Sequence, residues 1–231
     1  MEQITYDNFQ KIRAPKPVNR LAFFEKYCTG KNILDLGSYD ETAAELKSHT
    51  GYWLFSILEK KAKKVVGIDL GIPGEVFQFG SAQILKKDVY KLKGSDFPDI
   101  ELVTAGEILE HLDSPIDFLR YMKKEFSGKE LVLSTPNGLN FSNTLMGMIK
   151  REVQHPDHVQ LFSYKVLNTL CKKAGFREWE ILPYNFFAIE MKLKSKSKFK
   201  RGMVTMIEKF IHFFEYLFPV LCMGYIVKAK I

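Results

Sequence analysis

Cysteine is scarce in this chain: three residues in 231, Cys28, Cys171 and Cys222, each far from the next. That spacing builds neither a disulfide framework nor a metal-ligand set, so a reducing compartment is expected. No uninterrupted apolar stretch reaches the roughly 18 residues of a membrane span. Residues 1–17, MEQITYDNFQKIRAPKP, mix charges with prolines and contain no apolar core, unlike a signal peptide. The expected location is cytoplasmic, with a peripheral position at a membrane surface as the alternative. Repeats and Gly/Ser linkers are missing too, which points to a single domain over 1–231. It would carry a helical N-terminal extension at 1–29 and a basic, aromatic helical insertion at 184–220 before a last strand.

Carboxylates are missing from one stretch in particular. KLKSKSKFKR, residues 192–201, holds six cations and no acid, and without it the net charge of +7 falls to +1. The basic balance is therefore local and not a global nucleic-acid signature. The tract reads either as a solvated loop or as a contact for phosphate, nucleic acid or an anionic membrane surface. The groups concerned are Lys192, Lys194, Lys196, Lys198, Lys200 and Arg201.

What is present is an alternation. NILDLG, KVVGIDLG, AQILKKDV, IELVTAG and ELVLSTPNG are short apolar runs with turn residues at their C-terminal ends, the pattern of buried strands. Between the first two, ETAAELKSHTGYWLFSILEKKA places Leu46, Trp53, Leu54, Ile57 and Leu58 on one helical face. Ser114 followed by Pro115, and later Ser163, read as helix starts, and Gly175 as a stop. Alternating strand and helix predict a parallel sheet covered on both faces. Near the end, Met203, Met206, Ile207, Phe210, Phe213, Phe214 and Leu217 recur at helical spacing, with Glu208, Lys209 and Glu215 on the other side. A helix packed on the domain is the default reading, and an interfacial membrane helix or a substrate lid the alternative.

In such sheets ligands bind beyond the carboxyl ends of the strands. Those ends supply Asp35 and Gly37, then Asp69, Asp88, Ala105-Gly106-Glu107 and Pro136-Asn137. A carboxylate ending the second strand suits a ribose, since it accepts from both hydroxyls. The turn after the first strand, GSYDE, lacks the Gly-x-Gly-x-x-Gly that cradles a pyrophosphate, which argues against a nicotinamide dehydrogenase.

ELVTAGEILEHLDSPIDFLRYMKKEF, then LVLSTPNG, then HPDHVQLFSYKVLNTLCKKAGF, in this succession, resemble class I S-adenosylmethionine-dependent methyltransferases from about Gly30 to Gly175. The resemblance implies an α/β, doubly wound, Rossmann-like sheet of seven strands, mostly parallel, with MGYIVKAK as an antiparallel last strand. It also implies roles. Asp35, Gly37, Ser38 and Tyr39 would face the methionine part of S-adenosyl-L-methionine. Asp69 would hold the ribose and Leu70 would pack on the adenine. Asp88 and the Val89 backbone would meet the adenine edge, and Ala105 and Glu107 would line the sulfonium end. Family members usually carry glycine where Tyr39 and Glu41 stand. Asp40 is the residue expected to take a left-handed conformation there, and the Tyr39 ring to cover the cofactor.

A hydroxyl acceptor needs a base, for which Glu107, His111, His155 and His158 are candidates. His111 also reads as a brace for its loop. Glu107, Glu110, His111 and His158 resemble the metal-binding set of small-RNA 3′-terminal 2′-O-methyltransferases, although Glu-x-x-Glu-His is common without metal, and no metal is expected. The leading expectation is O-methylation of a sugar hydroxyl in a glycan or glycan precursor. Metal-dependent 2′-O-methylation of RNA 3′ ends ranks below it. A non-catalytic cofactor-binding or partner-binding protein is the third reading.

Overall fold

The computed structural model describes residues 11–40, 47 and 50–231, the side chain of residue 190 apart. The expectations placed on the first ten residues, Glu41 and Leu46 lie outside the described residues. Eight strands form one sheet: β1 (Asn32–Leu36), β2 (Lys64–Ile68), β3 (Val76–Phe79), β4 (Ala82–Leu85), β5 (Leu102–Gly106), β6 (Glu130–Pro136), β7 (Glu178–Tyr184) and β8 (Gly224–Lys230). Their spatial order is β3-β4-β2-β1-β5-β6-β8-β7. β4, β2, β1, β5 and β6 run parallel, and β8 lies antiparallel between β6 and β7. The doubly wound sheet with an antiparallel last strand is thus present, with eight strands where seven were expected. The eighth is β3, which folds back on β4 through a two-residue Gly80-Ser81 connection. That connection is the shortest hairpin loop, and glycine tolerates its positive φ.

The helices explain the two covered faces. α1 (Arg20–Cys28) and α2 (Leu54–Lys61) pack Phe24, Cys28, Phe55 and Leu58 against Ile33, Val65 and Val132 on one side. On the other, α3 (Pro115–Glu125) and α5 (Tyr164–Ala174) seat Phe118, Met122, Leu167 and Cys171 on Leu34, Val103 and Leu131. All three cysteines are buried thiols without disulfide partners. Each thiol is pushed up to about 12 by burial first, so none is a reactive thiolate.

α2 is shorter than the helical run read from the sequence. Gly51 sits at φ +71° and residue 53 is extended, so the helix begins at Leu54. Trp53 is consequently an N-cap residue in the core and not part of the helical face. Helix α1 is likewise confined to Arg20–Cys28, and Val18 before it is extended and bridges Tyr184 at the outer edge of β7. This bridge covers part of an otherwise open strand edge.

Between β7 and β8 lie α6 (Ile189–Lys194) and α7 (Lys198–Leu217), while α4 (Phe141–Met148) follows β6. α7 packs on the domain with an inverted polarity. Its buried residues are Val204, Glu208, Ile211 and Glu215, whereas Met206, Phe210 and Phe213 stay exposed. The reason is backbone hydrogen bonding. Glu215 accepts the Phe186 N–H through both oxygens, at 2.9 and 3.0 Å, and Glu208 accepts the Ala188 N–H at 3.2 Å and pairs with Lys192. Backbone pairing at this edge ends with Asn185 N–H donating to Val18 O at 3.0 Å, and the two carboxylates serve the N–H groups of Phe186 and Ala188 that follow.

Candidate active site

The carboxyl ends of β1, β2, β4 and β5 open on a cavity of about 870 Å³, within the range of small-molecule sites. It sits where strand order reverses around β1, the place the alternation of elements predicted. Asp35, Gly37, Ser38, Tyr39, Asp69, Leu70, Asp88, Val89 and Glu107 all line it. Ala105 does not: it is fully buried in the core, and the wall at that point is formed by Gly106. Strand alternation decides this, since neighbouring residues of β5 face opposite sides of the sheet.

The turn after β1 is built without a second glycine, and the structure shows how. Gly37 takes φ +70°, where a Cβ would come within 3.2 Å of the Ile108 side chain. Gly37 N–H donates to Ile68 O at 2.9 Å. Ser38, buried, donates from Oγ to Asp35 O at 2.7 Å and accepts from Ile68 N–H at 3.2 Å. The Trp53 indole N–H donates to Ser38 O at 2.9 Å. Tyr39 N–H donates to Asp69 Oδ2 at 2.8 Å, and Gly71 N–H to Asp69 Oδ1 at 2.8 Å. The turn is therefore held by the side chains of Asp69, just past β2, and of Trp53, the N-cap of α2. The Tyr39 ring lines the cavity and makes an edge contact with Phe77, 5.1 Å between centroids. Asp40 does not take a left-handed conformation. Among the described residues, the non-glycine positions with positive φ are Glu107 and Lys150, each at φ 60°.

Around this turn the cavity suits an adenosine-bearing sulfonium. Asp69 stands on the cavity wall just past β2, and its two oxygens accept from Tyr39 N–H and Gly71 N–H; a carboxylate there suits a ligand that carries hydroxyls. Leu70, 60% exposed although apolar, offers a flat apolar contact at the cavity wall. Asp88 caps a turn by accepting Tyr90 N–H at 2.9 Å and also pairs with Lys91 at 3.7 Å. Asp35 accepts from Thr104 Oγ1 at 2.6 Å. Burial first, against the hydrogen bonds of Thr104 and Ser38, lifts its carboxyl to about 7.

Glu107 is the centre of a second group. Its left-handed backbone donates N–H to Ser134 O at 2.8 Å and turns the side chain toward β7 and α1. There Tyr184 donates its hydroxyl to Glu107 Oε1 at 2.9 Å, and Arg20 Nε lies 3.6 Å from the same oxygen. Arg20 Nε also donates to Ser134 Oγ at 2.9 Å. Neither Arg20 nor Tyr184 is suggested by its local sequence. Arg20 follows an ordinary N-cap, Asn19, and Tyr184 ends a strand, so only the chain's return to the site brings them together.

Imidazoles form the third group. The rings of His111 and His158 lie 4.8 Å apart and those of His155 and His158 5.4 Å apart. The 155–158 turn is fixed beneath them by Val159 N–H donating to Glu110 O at 3.1 Å. His111 Nδ1 lies 3.2 Å from Asp157 O, and since a carbonyl oxygen can only accept, Nδ1 is the donor there. Burial first, then His111 and His155, lowers the His158 pKa, so its ring is neutral at neutral pH. Glu110 is buried, accepts from Thr135 Oγ1 at 2.9 Å, and sits 4.0 Å from His158 Nε2. Burial and the nearby Glu107 push its carboxyl up to about 8. Glu110 Oε1 and His158 Nδ1 are buried without a hydrogen-bond partner among the described residues. Glu110, His111 and His158 bring ligand atoms within 4.8 Å of one another. Glu107 stands outside this group, held by Tyr184 and Arg20, so the set of four suggested by sequence becomes a set of three.

Residues 6–181 match the profile of the family described as methyltransferase domain. The chain belongs to that family and has the class I S-adenosylmethionine-dependent methyltransferase fold. Among curated proteins it is similar to the tRNA U34 carboxymethyltransferase of Idiomarina loihiensis, 27% identical over 175 residues, 70% of this chain and 50% of that one. It is also similar to the enzyme of the same name from Helicobacter pylori, 28% identical over 153 residues, 62% of this chain and 59% of that one. The chain thus spans about half the length of the curated relatives it matches. Among solved structures, a SAM-dependent methyltransferase from Archaeoglobus fulgidus superposes with a TM-score of 0.53 at 18% identity, covering 91% of this chain and 92% of that one. The small RNA methyltransferase HEN1 gives 0.54 at 13%, covering 96% of this chain and 27% of that one.

Proposed function

We propose that this chain is an S-adenosylmethionine-dependent O-methyltransferase whose acceptor is a sugar hydroxyl in a glycan or glycan precursor. The observation that carries this reading is the cluster of three imidazoles, His111, His155 and His158, on the wall of the cofactor-sized cavity. A hydroxyl attacks poorly with its proton in place, and His158, with His111 beside it, is a base poised to take that proton. Asp69 would hold the ribose, Leu70 the adenine face, Asp88 and Val89 the adenine edge, and the Gly37–Tyr39 turn the methionine end. S-adenosylmethionine, when bound, supplies a methyl group on a sulfonium with a neutral thioether as leaving group. The protein's share is alignment and water exclusion. Glu107, pinned by Tyr184 and Arg20, fixes a negative charge on the cavity wall, at the end read as that of the sulfonium. Phe186 and Phe187 wall the cavity on the side of α7.

A second reading, metal-assisted 2′-O-methylation of RNA 3′ ends, is favoured by Glu110, His111 and His158. A carboxylate with two imidazoles suits a divalent ion that acidifies a ribose hydroxyl. The names of the tRNA-modifying relatives add RNA to the acceptors worth testing. The deciding experiment incubates pure protein and methyl-labelled cofactor with nucleotide-linked sugars, lipid-linked sugars, isolated glycans and total RNA, with and without EDTA. Label in an alkali-stable sugar ether, unaffected by EDTA, is the expected result. Label confined to RNA overturns the first reading, and loss of that transfer in EDTA supports the second. Absence of cofactor binding by calorimetry would leave a non-catalytic partner-binding protein.

A further inference from the structure

The exposed side of α7 is the largest feature that the catalytic reading leaves unused. Phe199, Met206, Phe210, Phe213, Tyr216 and Phe218 are each more than half exposed. All but Phe218, the C-cap, sit on a 20-residue helix whose carboxylates Glu208 and Glu215 are turned inward. Soluble surfaces scatter single apolar residues, whereas a contiguous row of aromatic rings marks a docking face. The row continues onto α4, which meets α7 through Phe141 stacked on Phe214, 4.8 Å between centroids. Beyond that contact Met148 and Ile149 are 79% and 61% exposed.

Charge selects the occupant. The N-terminal end of the same helix and the turn before it carry Lys196, Lys198, Lys200 and Arg201, and no carboxylate of the described residues pairs with them. From Met191 to Ile207 there is no acidic residue. Rings and methionines on the outward side, cations at one end and acids withdrawn to the inside describe a helix lying in the plane of an anionic lipid surface. A protein groove would not call for an acid-free run of lysines with long solvated stems, whereas lipid phosphates do. Among the described residues no helix is long and apolar enough to cross a membrane, so the geometry is that of a helix lying on the bilayer. The face also reaches the cavity. Phe187 and Met191, both exposed, line its rim, and residues 186 and 188 are tied by backbone hydrogen bonds to Glu215 and Glu208 of α7.

We infer that the outward face of α7, with Lys196, Lys198, Lys200 and Arg201, docks this protein peripherally on an anionic bilayer and sets the cavity rim at the headgroup level.

The test is co-sedimentation of the full chain with vesicles of phosphatidylcholine alone or with 30% phosphatidylglycerol, compared with the variants M206S/F213S and K198E/K200E. Circular dichroism melting confirms that both variants fold. Binding to the anionic vesicles and not to the neutral ones is expected, with each variant lowering the bound fraction at least about fivefold. Absence of sedimentation with either composition overturns the inference. So does binding that M206S/F213S leaves intact, which would reduce the face to a patch of charge. Concentration-dependent dimerisation abolished by M206S/F213S, without vesicle binding, would assign the face to a second copy of the chain. None of these outcomes depends on the methyl acceptor.

Discussion

The Tyr184 hydroxyl donates to Glu107 Oε1 at 2.9 Å, and Glu107 holds φ 60° to receive it. A left-handed glutamate costs on the order of 1 kcal/mol against glycine, and here that conformation aims a carboxylate along the cavity wall. Glu107→Gly relieves that cost but takes the acceptor from the buried Tyr184 hydroxyl, so the two effects, each about 1 kcal/mol, should nearly cancel in stability while methyl transfer falls at least tenfold. A variant that loses stability and activity together would show that the carboxylate serves folding.

Tyr184→Phe removes the same hydrogen bond from the other side. Tyr184 is buried and its hydroxyl has no solvent alternative. The expected loss is about 1 kcal/mol of stability, the scale for one net hydrogen bond. A several-fold fall in affinity for the demethylated cofactor should accompany it, read by calorimetry, because Glu107 is freed from its fixed position.

Asp69 does two things at once. It would hold the ribose, and it accepts from Tyr39 and Gly71 to set the turn. Asp69→Ala should weaken cofactor binding by roughly 1–3 kcal/mol, the range for charge-assisted hydrogen bonds. Asp69→Asn keeps one acceptor oxygen and should lose less. Equal losses in the two variants would mean that charge alone matters there.

Trp53→Phe tests whether the turn depends on its indole. Ser38 O would lose the donor at 2.9 Å in a buried place. A destabilisation of roughly 1–3 kcal/mol in urea melts is expected, together with weaker cofactor binding. Unchanged binding would show that Ser38 and Asp69 suffice.

Glu215 gives the pH dependence. Burial first, against the Phe186 and Met223 backbone hydrogen bonds, raises its carboxyl from 4.5 to about 7. Between those values the folded state keeps a proton that the unfolded state has released. Stability therefore falls as pH rises through this window, and below it the group has no effect. Glu215→Gln keeps an acceptor for Phe186 N–H and removes the titration. Denaturant melts at pH 5 and pH 8 should show the wild type losing about 2 kcal/mol more than the variant over that span. Asp35, raised to about 7, contributes the same sign in both proteins and cancels in the comparison.

Much of this protein was readable from local pattern. Apolar runs ending in Asp35, Asp69, Asp88 and Glu107 are strands whose ends share one cavity, because alternating strands and helices leave only one edge of a parallel sheet for ligands. Ser163 and Gly175 bound α5 through capping chemistry that depends on neighbours within a few residues. The eighth strand escaped because Val76–Phe79 is four residues long, too short for a periodic signal.

What only the tertiary structure decided are matters of distant partners. Arg20 and Tyr184 reach Glu107 from opposite ends of the chain. The turn at Gly37 is secured by Trp53 and Asp69, not by glycines of its own. Most of all, α7 has a sequence periodicity that marks its two faces but does not say which one turns inward. Burial of an acid is unfavourable unless a donor meets it, and the unpaired N–H groups of Phe186 and Ala188 meet Glu215 and Glu208. That choice, made by four backbone and side-chain groups far apart in sequence, turned the aromatic face outward.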